Sequence, residues 1–215
     1  MKPMTEPIYG KLYQFTNLAG NINLPAHQYL LASDPTVMFA TGIYSQAKWI
    51  LPEVERILDG RPLDYLFVSH MEADECGGIG LYKRRYPKLT VLGTAQVASE
   101  FEGFGYTTKV IVCEHLSRFR QGDLDLQFFG FPVDVHGRDG LIAYDSASGI
   151  MYSSDVIVKS GRSKINLGDW AEEVGSIDSS RISDTSKRQK LKAELVKIQP
   201  KFIATGHGSC INVEN

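Results

Sequence analysis

The sequence predicts a mixed α/β protein in which two β-sheets pack face to face and helices cover their outer sides. Short apolar runs occur in both halves of the chain, and each group of runs is followed by a segment with apolar residues at helical spacing. Hydrophobic residues make up 43% of the 215 residues and charged residues 22%, which is ordinary for a globular protein. We therefore expect a single domain with a large core.

The first half begins with a predicted hairpin of residues 28–32 and 37–40, joined by a tight turn. A helix is predicted over residues 46–58, although Pro52 favours a start near Leu51, because proline is best tolerated in the first turn of a helix. The remaining elements predicted in this half are a strand at 63–68, a helix at 81–86, a strand at 90–92, a helix at 95–101 and a strand at 109–112.

The second half is predicted to contain, in order, a strand at 124–129, a hairpin of 141–144 with 150–154, a helix at 187–198 and a strand at 201–205. Residues 160–186 are rich in glycine and serine and show no periodicity. A lid, a partner surface and an irregular connection all fit this segment.

Composition excludes several classes of function. The net charge of −2 provides no basic face for nucleic acid or anionic lipid. No apolar run approaches the roughly 18 residues of a membrane span, and no signal peptide is evident, so we expect a cytoplasmic protein. The three cysteines, which show no Cys-x-x-Cys spacing, do not indicate a disulfide framework.

Residues 69–78 form an acidic loop directly after the apolar run 63–68. His70, Glu72 and Asp74 alternate in it, and Glu75 is adjacent. Burying this many ionisable groups at the end of a core strand is costly unless a positive charge lies among them. The loop therefore indicates a metal site, and an acidic surface loop is the alternative.

Three further residues of metal-ligand type also follow strand-like runs. They are His136 after 131–135, Asp155 after 150–154, and His207 after 202–206 with glycines on both sides. Glycine lets the backbone approach a buried ligand closely. His27 and His115 lack this pattern, so we assign both to structural roles, and we interpret Cys76 as a small loop residue rather than a redox group.

The order of these seven residues resembles the metallo-β-lactamase fold, and within it the diiron domain of flavodiiron proteins, most of all the stand-alone oxygen-binding diiron proteins. The resemblance covers nearly the whole chain and implies a four-layer αββα sandwich. It also implies the ligands of two iron ions, with His70, Glu72 and His136 on one ion, Asp74, His207 and Glu75 around the other, and Asp155 bridging both.

The chain departs from the flavodiiron pattern in two ways. Flavodiiron proteins usually have histidine at the position of Glu75. They also continue into a flavodoxin-like domain that carries FMN, whereas we expect residues 1–215 to form one diiron domain without FMN. Flavodiiron relatives commonly pair head to tail, so the resemblance leaves a homodimer as one possible assembly. Some stand-alone relatives are linked to bacterial chemotaxis, so a signalling protein of that kind is a possible partner.

Ligand chemistry favours iron over zinc. Four carboxylates and three imidazoles make an oxygen-rich set, which suits iron or manganese better than zinc. Our leading hypothesis is a non-haem diiron protein that binds and reduces O2 or a similar diatomic, either as an oxygen sensor in signalling or as a reductase with an external electron donor. The alternatives are a binuclear zinc hydrolase for a thioester, lactone or phosphoester, and a metal-free interaction module on the same fold.

Overall fold

The computed structural model describes residues 4–18, 25–133, 138–160 and 164–214. The described residues up to 113, with 121–123, form one compact unit, and the described residues of 114–120 and from 124 onward form a second. Each unit contains one β-sheet and its own helices, which confirms the predicted α/β class.

The first unit is built on a sheet of seven strands in the order β1 to β7. Strands β1 to β4 pair antiparallel, whereas β4 to β7 pair parallel. The strands are β1 (Met4–Tyr9), β2 (Leu12–Leu18), β3 (Pro25–Leu31), β4 (Val37–Phe39), β5 (Tyr65–Phe67), β6 (Thr90–Gly93) and β7 (Val110–Val112). The helices are α1 (Tyr44–Leu58), α2 (Ala73–Cys76), α3 (Ile79–Arg85) and α4 (Ala95–Gly103).

Helix α1 begins at Tyr44, so the start near Leu51 that Pro52 favoured is wrong. Pro52 lies inside the helix on an exposed position. Ile50, Val54 and Leu58 are buried in the core beneath the helix. Burial of each such side chain contributes about 1.5–3 kcal/mol. The three contributions together exceed the roughly 3 kcal/mol that a proline inside a helix costs.

The second unit is built on a sheet in the order β12-β14-β13-β11-β10-β9-β8. Strand β11 pairs parallel with β13, and β12 pairs parallel with β14, whereas β9, β10 and β11 pair antiparallel. The strands are β8 (Arg118–Gln121), β9 (Leu124–Val133), β10 (Arg138–Asp145), β11 (Ile150–Ser154), β12 (Ile165–Asp169), β13 (Phe202–Thr205) and β14 (Cys210–Glu214). The helices are α5 (Trp170–Ser176) and α6 (Thr185–Leu195).

The segment 160–186 is more regular than its sequence indicated, because it contains β12 and α5. The indole Nε1 of Trp170, the first residue of α5, donates a hydrogen bond to the carbonyl of Leu195, the last residue of α6, 3.0 Å away. Strands β1, β2, β8 and β14 were not predicted either. No helix in the described parts of the chain is long and apolar enough to span a membrane.

Candidate metal centre

His70 lies just beyond the end of β5, at the edge of the first sheet where parallel strands finish. Val68 still donates to the carbonyl of Leu92, 2.9 Å away, so the sheet supports the loop almost to His70. The imidazole is only 2% exposed. Its Nδ1 is 3.3 Å from Ser69 Oγ, and its Nε2 is 3.7 Å from Glu72 Oε2.

The spacing of His70 and Glu72 suits two ligands of one cation. Ligand atoms about 2.1 Å from a metal at an angle near 90° are roughly 3 Å from each other. The 3.7 Å between Nε2 and Oε2 is close to this value. The alternating pattern of the loop therefore brings these two side chains together, as the metal hypothesis requires.

Asp74 and Glu75 lie on the short helix α2, whose backbone is fastened to the segment after β4. Gly42 donates its N–H to the carbonyl of Asp74, and Thr41 donates to that of Glu75, each over 2.8 Å. The hydroxyl of Thr41 also accepts from the N–H of Gly78, 2.9 Å away. These bonds fix the acidic loop against the sheet. The Thr-Gly pair directly after an apolar strand was the signal in the sequence that could have identified this support.

Glu75 has the most constrained carboxylate of the loop. Its side chain is 3% exposed, and Oε2 accepts a hydrogen bond from the backbone N–H of Ser69 over 3.3 Å. The carboxylate is thus turned back towards the start of the loop. A buried carboxylate needs hydrogen bonds and a nearby positive charge. Glu75 is therefore not part of an exposed acidic loop, and its role as a metal ligand stays a prediction.

Asp155 and His207 come together in the second unit. Because β11 and β13 are parallel neighbours, their carboxyl ends meet at one edge, with Asp155 after β11 and His207 after β13. His207 Nε2 is 3.4 Å from Asp155 Oδ1. Gly206 donates to the carbonyl of Ser154 over 2.9 Å, and a Cβ at Gly206 would stand 3.2 Å from Asp155 Oδ1. The glycine permits this close approach, as its position predicted.

His136 lies in 134–137, outside the described residues. The strands on either side of it, β9 and β10, are antiparallel neighbours of the same sheet. Its role as a ligand stays a prediction.

The structure places His115 in a structural network, as predicted. Its Nδ1 accepts from the N–H of Gly130 over 3.2 Å, and its Nε2 lies 3.2 Å from the carboxylate of Glu194. His27 is also buried, and its Nδ1 is 3.1 Å from Thr16 Oγ1. Neither residue was assigned to the metal site.

Cys76 lies on α2 rather than in an open loop, and its thiol is not poised for redox chemistry. Burial, followed by the charges of Glu75 and Asp74, raises the pKa of the thiol to about 12. Sγ donates to the carbonyl of Glu72 over 3.3 Å. The thiol therefore stays protonated at neutral pH, in agreement with the interpretation that Cys76 is not a redox group, although it lies on a helix and not in a loop.

A family model described as ODP family beta lactamase matches residues 24–208. The chain belongs to this family. Diflavin flavoprotein A 1 of Synechocystis sp. is 26% identical to the ODP-family chain over 132 residues, which cover 60% of this chain and 23% of the relative. The chain thus matches about a quarter of the length of such curated relatives.

Solved structures show the fold of the ODP-family chain. The metal-soaked Flv1 flavodiiron core from Synechocystis sp. has a TM-score of 0.79 at 16% identity, covering 98% of this chain and 57% of that one. A metallo-beta-lactamase from Pontibacter korlensis has a TM-score of 0.70 at 19% identity, covering 98% and 93%. The predicted metallo-β-lactamase-like fold and the resemblance to flavodiiron proteins are confirmed.

Proposed function

We propose that this chain holds two iron ions and binds O2 or a related diatomic. The proposed ligands are His70, Glu72, Asp74, Glu75, His136, Asp155 and His207. Membership of the ODP family and the similarity to diflavin and flavodiiron proteins support this proposal.

The arrangement within each unit is the observation that carries the proposal. Each unit presents a histidine and a carboxylate at the carboxyl end of a strand, 3.7 Å apart for His70 and Glu72 and 3.4 Å apart for His207 and Asp155. Both separations suit neighbouring ligands of a metal ion. Two such pairs in one chain are best explained by a centre with two ions.

The resemblance to flavodiiron proteins suggests how the ligands are divided. His70, Glu72 and His136 would hold one iron, and Asp74 and His207 the other, with Glu75 beside it. Asp155 would bridge the two. The bonds from Thr41 and Gly42 to the backbone of α2 then hold two ligands of the second ion in place.

The donor set favours iron over zinc. If all seven residues bind, four carboxylates face two divalent ions, so the site is close to neutral. Near-neutrality weakens the activation of a water molecule and stabilises a more oxidised pair of metal ions. Oxygen-rich ligation also suits iron or manganese better than zinc. Both effects favour oxygen chemistry over hydrolysis.

Bound iron ions supply the electrons and the open coordination positions that a diatomic needs. The residues of the chain hold the ions, and the burial of His70 and Glu75 keeps bulk water from part of the site. We propose that a flavin or rubredoxin-like donor delivers the electrons, and we assign no FMN to residues 1–215 themselves. With rapid supply the protein would act as a reductase.

With slow electron supply the oxidised state would persist, and a partner could recognise it. The protein would then be an oxygen sensor, with a signalling protein such as a chemotaxis component as its partner. We place it in the cytoplasm, where such partners operate, and a second copy of the chain is a further proposed partner.

Reconstitution with competing metals tests the proposal. Metal-free protein is loaded with ferrous iron or zinc without oxygen, and O2 is then admitted. We expect two iron ions per chain and a visible absorption band on oxidation. In His70→Ala, the iron content and the intensity of the band should both be lower. Tight binding of two zinc ions, turnover of ester or phosphodiester substrates with zinc and no band with iron would instead establish the hydrolase. Little stoichiometric metal would establish an interaction module.

A further inference from the structure

Residues 155–160, which follow β11, are joined to the chain on the far side of His207. Lys159 forms an isolated parallel bridge with Gly208, and the N–H of Ser209 donates to the carbonyl of Lys159 over 2.9 Å. A Cβ at Gly208 would stand 2.2 Å from that carbonyl oxygen. The backbone of Lys159 therefore contacts the two residues after His207, while Asp155 begins the same segment.

The side chain of Lys159 is anchored in turn to helix α5. Its Nζ donates to Glu173 Oε1 over 2.5 Å, and the Glu173 side chain is 3% exposed. The same oxygen lies beside Gly168 on β12, where a Cβ would stand 2.8 Å away. The ion pair thus connects α5 and the adjoining strand to the segment that carries Asp155.

This ion pair has little room to move. A buried carboxylate that loses its partner charge is strongly destabilised, so Glu173 holds Lys159 firmly. Lys159 remains partly exposed, which means that its ammonium group can be solvated if Glu173 is changed. Neutralising Glu173 should therefore release Lys159 without leaving a buried unpaired charge.

We propose that the Lys159–Glu173 ion pair is a positioning device for Asp155 and His207, and so sets the affinity of the second metal position. The inference rests on the proposed function and deepens it. Neither residue is itself a ligand. Each acts through the backbone of residues 155–160 and of Gly208 and Ser209, which flank the two proposed ligands on opposite sides.

The test compares Glu173→Gln with Glu172→Gln. Glu172 lies next to Glu173 on α5 but is exposed, so its variant carries the same charge change without touching the ion pair. In the iron-loaded full chain we expect Glu173→Gln to lower the affinity of one ion by about 10- to 100-fold, the range found when residues that support metal ligands are changed. The other ion, which shares only Asp155 with this segment, should lose less affinity, and Glu172→Gln should bind both ions as the wild type does.

Lys159 provides a second route to the same answer. Lys159→Met should lower the affinity of the same ion, and Lys159→Arg, which keeps the charge, should restore most of it. A chain that fails to fold would lose both ions, so retention of the other ion in Lys159→Met separates a positioning role from a loss of folding. If Glu173→Gln and Lys159→Met each bind both ions with the same affinities as the wild type, the proposal is overturned.

The metal-free protein supplies a readout that does not depend on iron. The ring signals of His207 in NMR spectra should move in Glu173→Gln and Lys159→Met and stay in place in Glu172→Gln. If the wild type takes up no metal, the proposed function fails, and these signals alone decide the positioning role. Unmoved signals in that case would overturn it.

Discussion

The Nε2 atom of His207 lies 3.4 Å from Oδ1 of Asp155, across the gap between the ends of two parallel strands. The relationship follows from topology, since parallel neighbours β11 and β13 finish at the same edge. A histidine and a carboxylate at this separation can bind one cation together. The pair of His70 and Glu72, 3.7 Å apart, is its counterpart in the first unit.

Removing His207 or Asp155 should have different effects on metal content. His207→Ala should leave one iron per chain instead of two, because the proposed ligands of the other ion remain. Asp155→Ala should lower the affinity for both ions, because Asp155 is proposed to bridge them. Iron analysis of the variants measures this difference. His115→Gln, which changes a histidine outside the site, should keep two ions, and equal losses in the His207 and Asp155 variants would contradict a bridging role.

Glu75→His should slow the oxidation of the ferrous protein by O2. Replacing a carboxylate by a neutral imidazole removes one negative charge from the site, which stabilises the oxidised ions less. We expect a decrease of about tenfold or more in rate, corresponding to about 1.4 kcal/mol. Rapid mixing with O2 followed at visible wavelengths provides the measurement. If metal content and oxidation rate both stay unchanged, Glu75 does not take part.

Gly208→Ala should lower the free energy of unfolding by about 2 kcal/mol or more. Gly208 has a φ of +82°, which a residue with a Cβ adopts only with strain, and the new Cβ would meet the carbonyl of Lys159. Gly175→Ala is the control, because Gly175 lies in α5 with open space around it, and its replacement should stabilise by about 0.5–1 kcal/mol. Denaturant unfolding compares the two, and equal stabilities would contradict the close approach at Gly208.

Tyr82→Phe should raise the free energy of unfolding by about 1 kcal/mol. The Tyr82 side chain is fully buried in the core beside α1, and in the described part of the chain its hydroxyl has no hydrogen-bond partner. Removing an unpaired buried hydroxyl relieves its desolvation penalty. Urea unfolding of both proteins tests this, and a loss of stability in the variant would mean that the hydroxyl is paired.

Cys113 should resist alkylation in the folded protein. Burial raises the pKa of its thiol from the ordinary value of 9.0 to about 12, a difference of three units. The thiolate fraction at pH 8 is thus about 1,000-fold lower than in the unfolded chain. Iodoacetamide labelling of a variant with Ser at positions 76 and 210 measures this directly, and similar rates in native and denatured protein would contradict it.

The same shift has a consequence for stability at high pH. Because the pKa of the folded thiol lies above that of the unfolded thiol, its contribution to stability is complete below pH 9 and is lost as the pH rises towards 12. The expected slope is about 1.4 kcal/mol per pH unit between these limits. Cys113→Ser should reduce this slope in unfolding experiments.

The sequence predicted the strands that are short apolar runs and missed several whose apolar residues are interrupted by polar ones. Residues 63–68 and 150–154 are apolar runs, and their strands β5 and β11 formed as expected. Strand β12 was missed because it lies at the edge of its sheet, where Ile165 and Leu167 face outward rather than into the core. Hydrophobic pattern indicates a strand only when the apolar side chains are buried.

The residues of metal-ligand type at the strand ends could be predicted from the sequence, but the contacts that hold them in place could not. His70, Glu72, Asp155 and His207 follow apolar strands, and parallel topology brings such ends to one edge. The contact between Lys159 and Glu173 depends on how β12 and α5 pack, which no local pattern encodes. The four carboxylates indicated iron through their chemistry alone, and that identity remains a proposal.

Metal analysis of protein purified without added metal, combined with spectra taken before and after O2 is admitted, tests the central claim most directly. The account predicts two iron ions per chain and a visible absorption band that appears only after O2 enters. Two tightly bound zinc ions without such a band, or protein without stoichiometric metal, would contradict it.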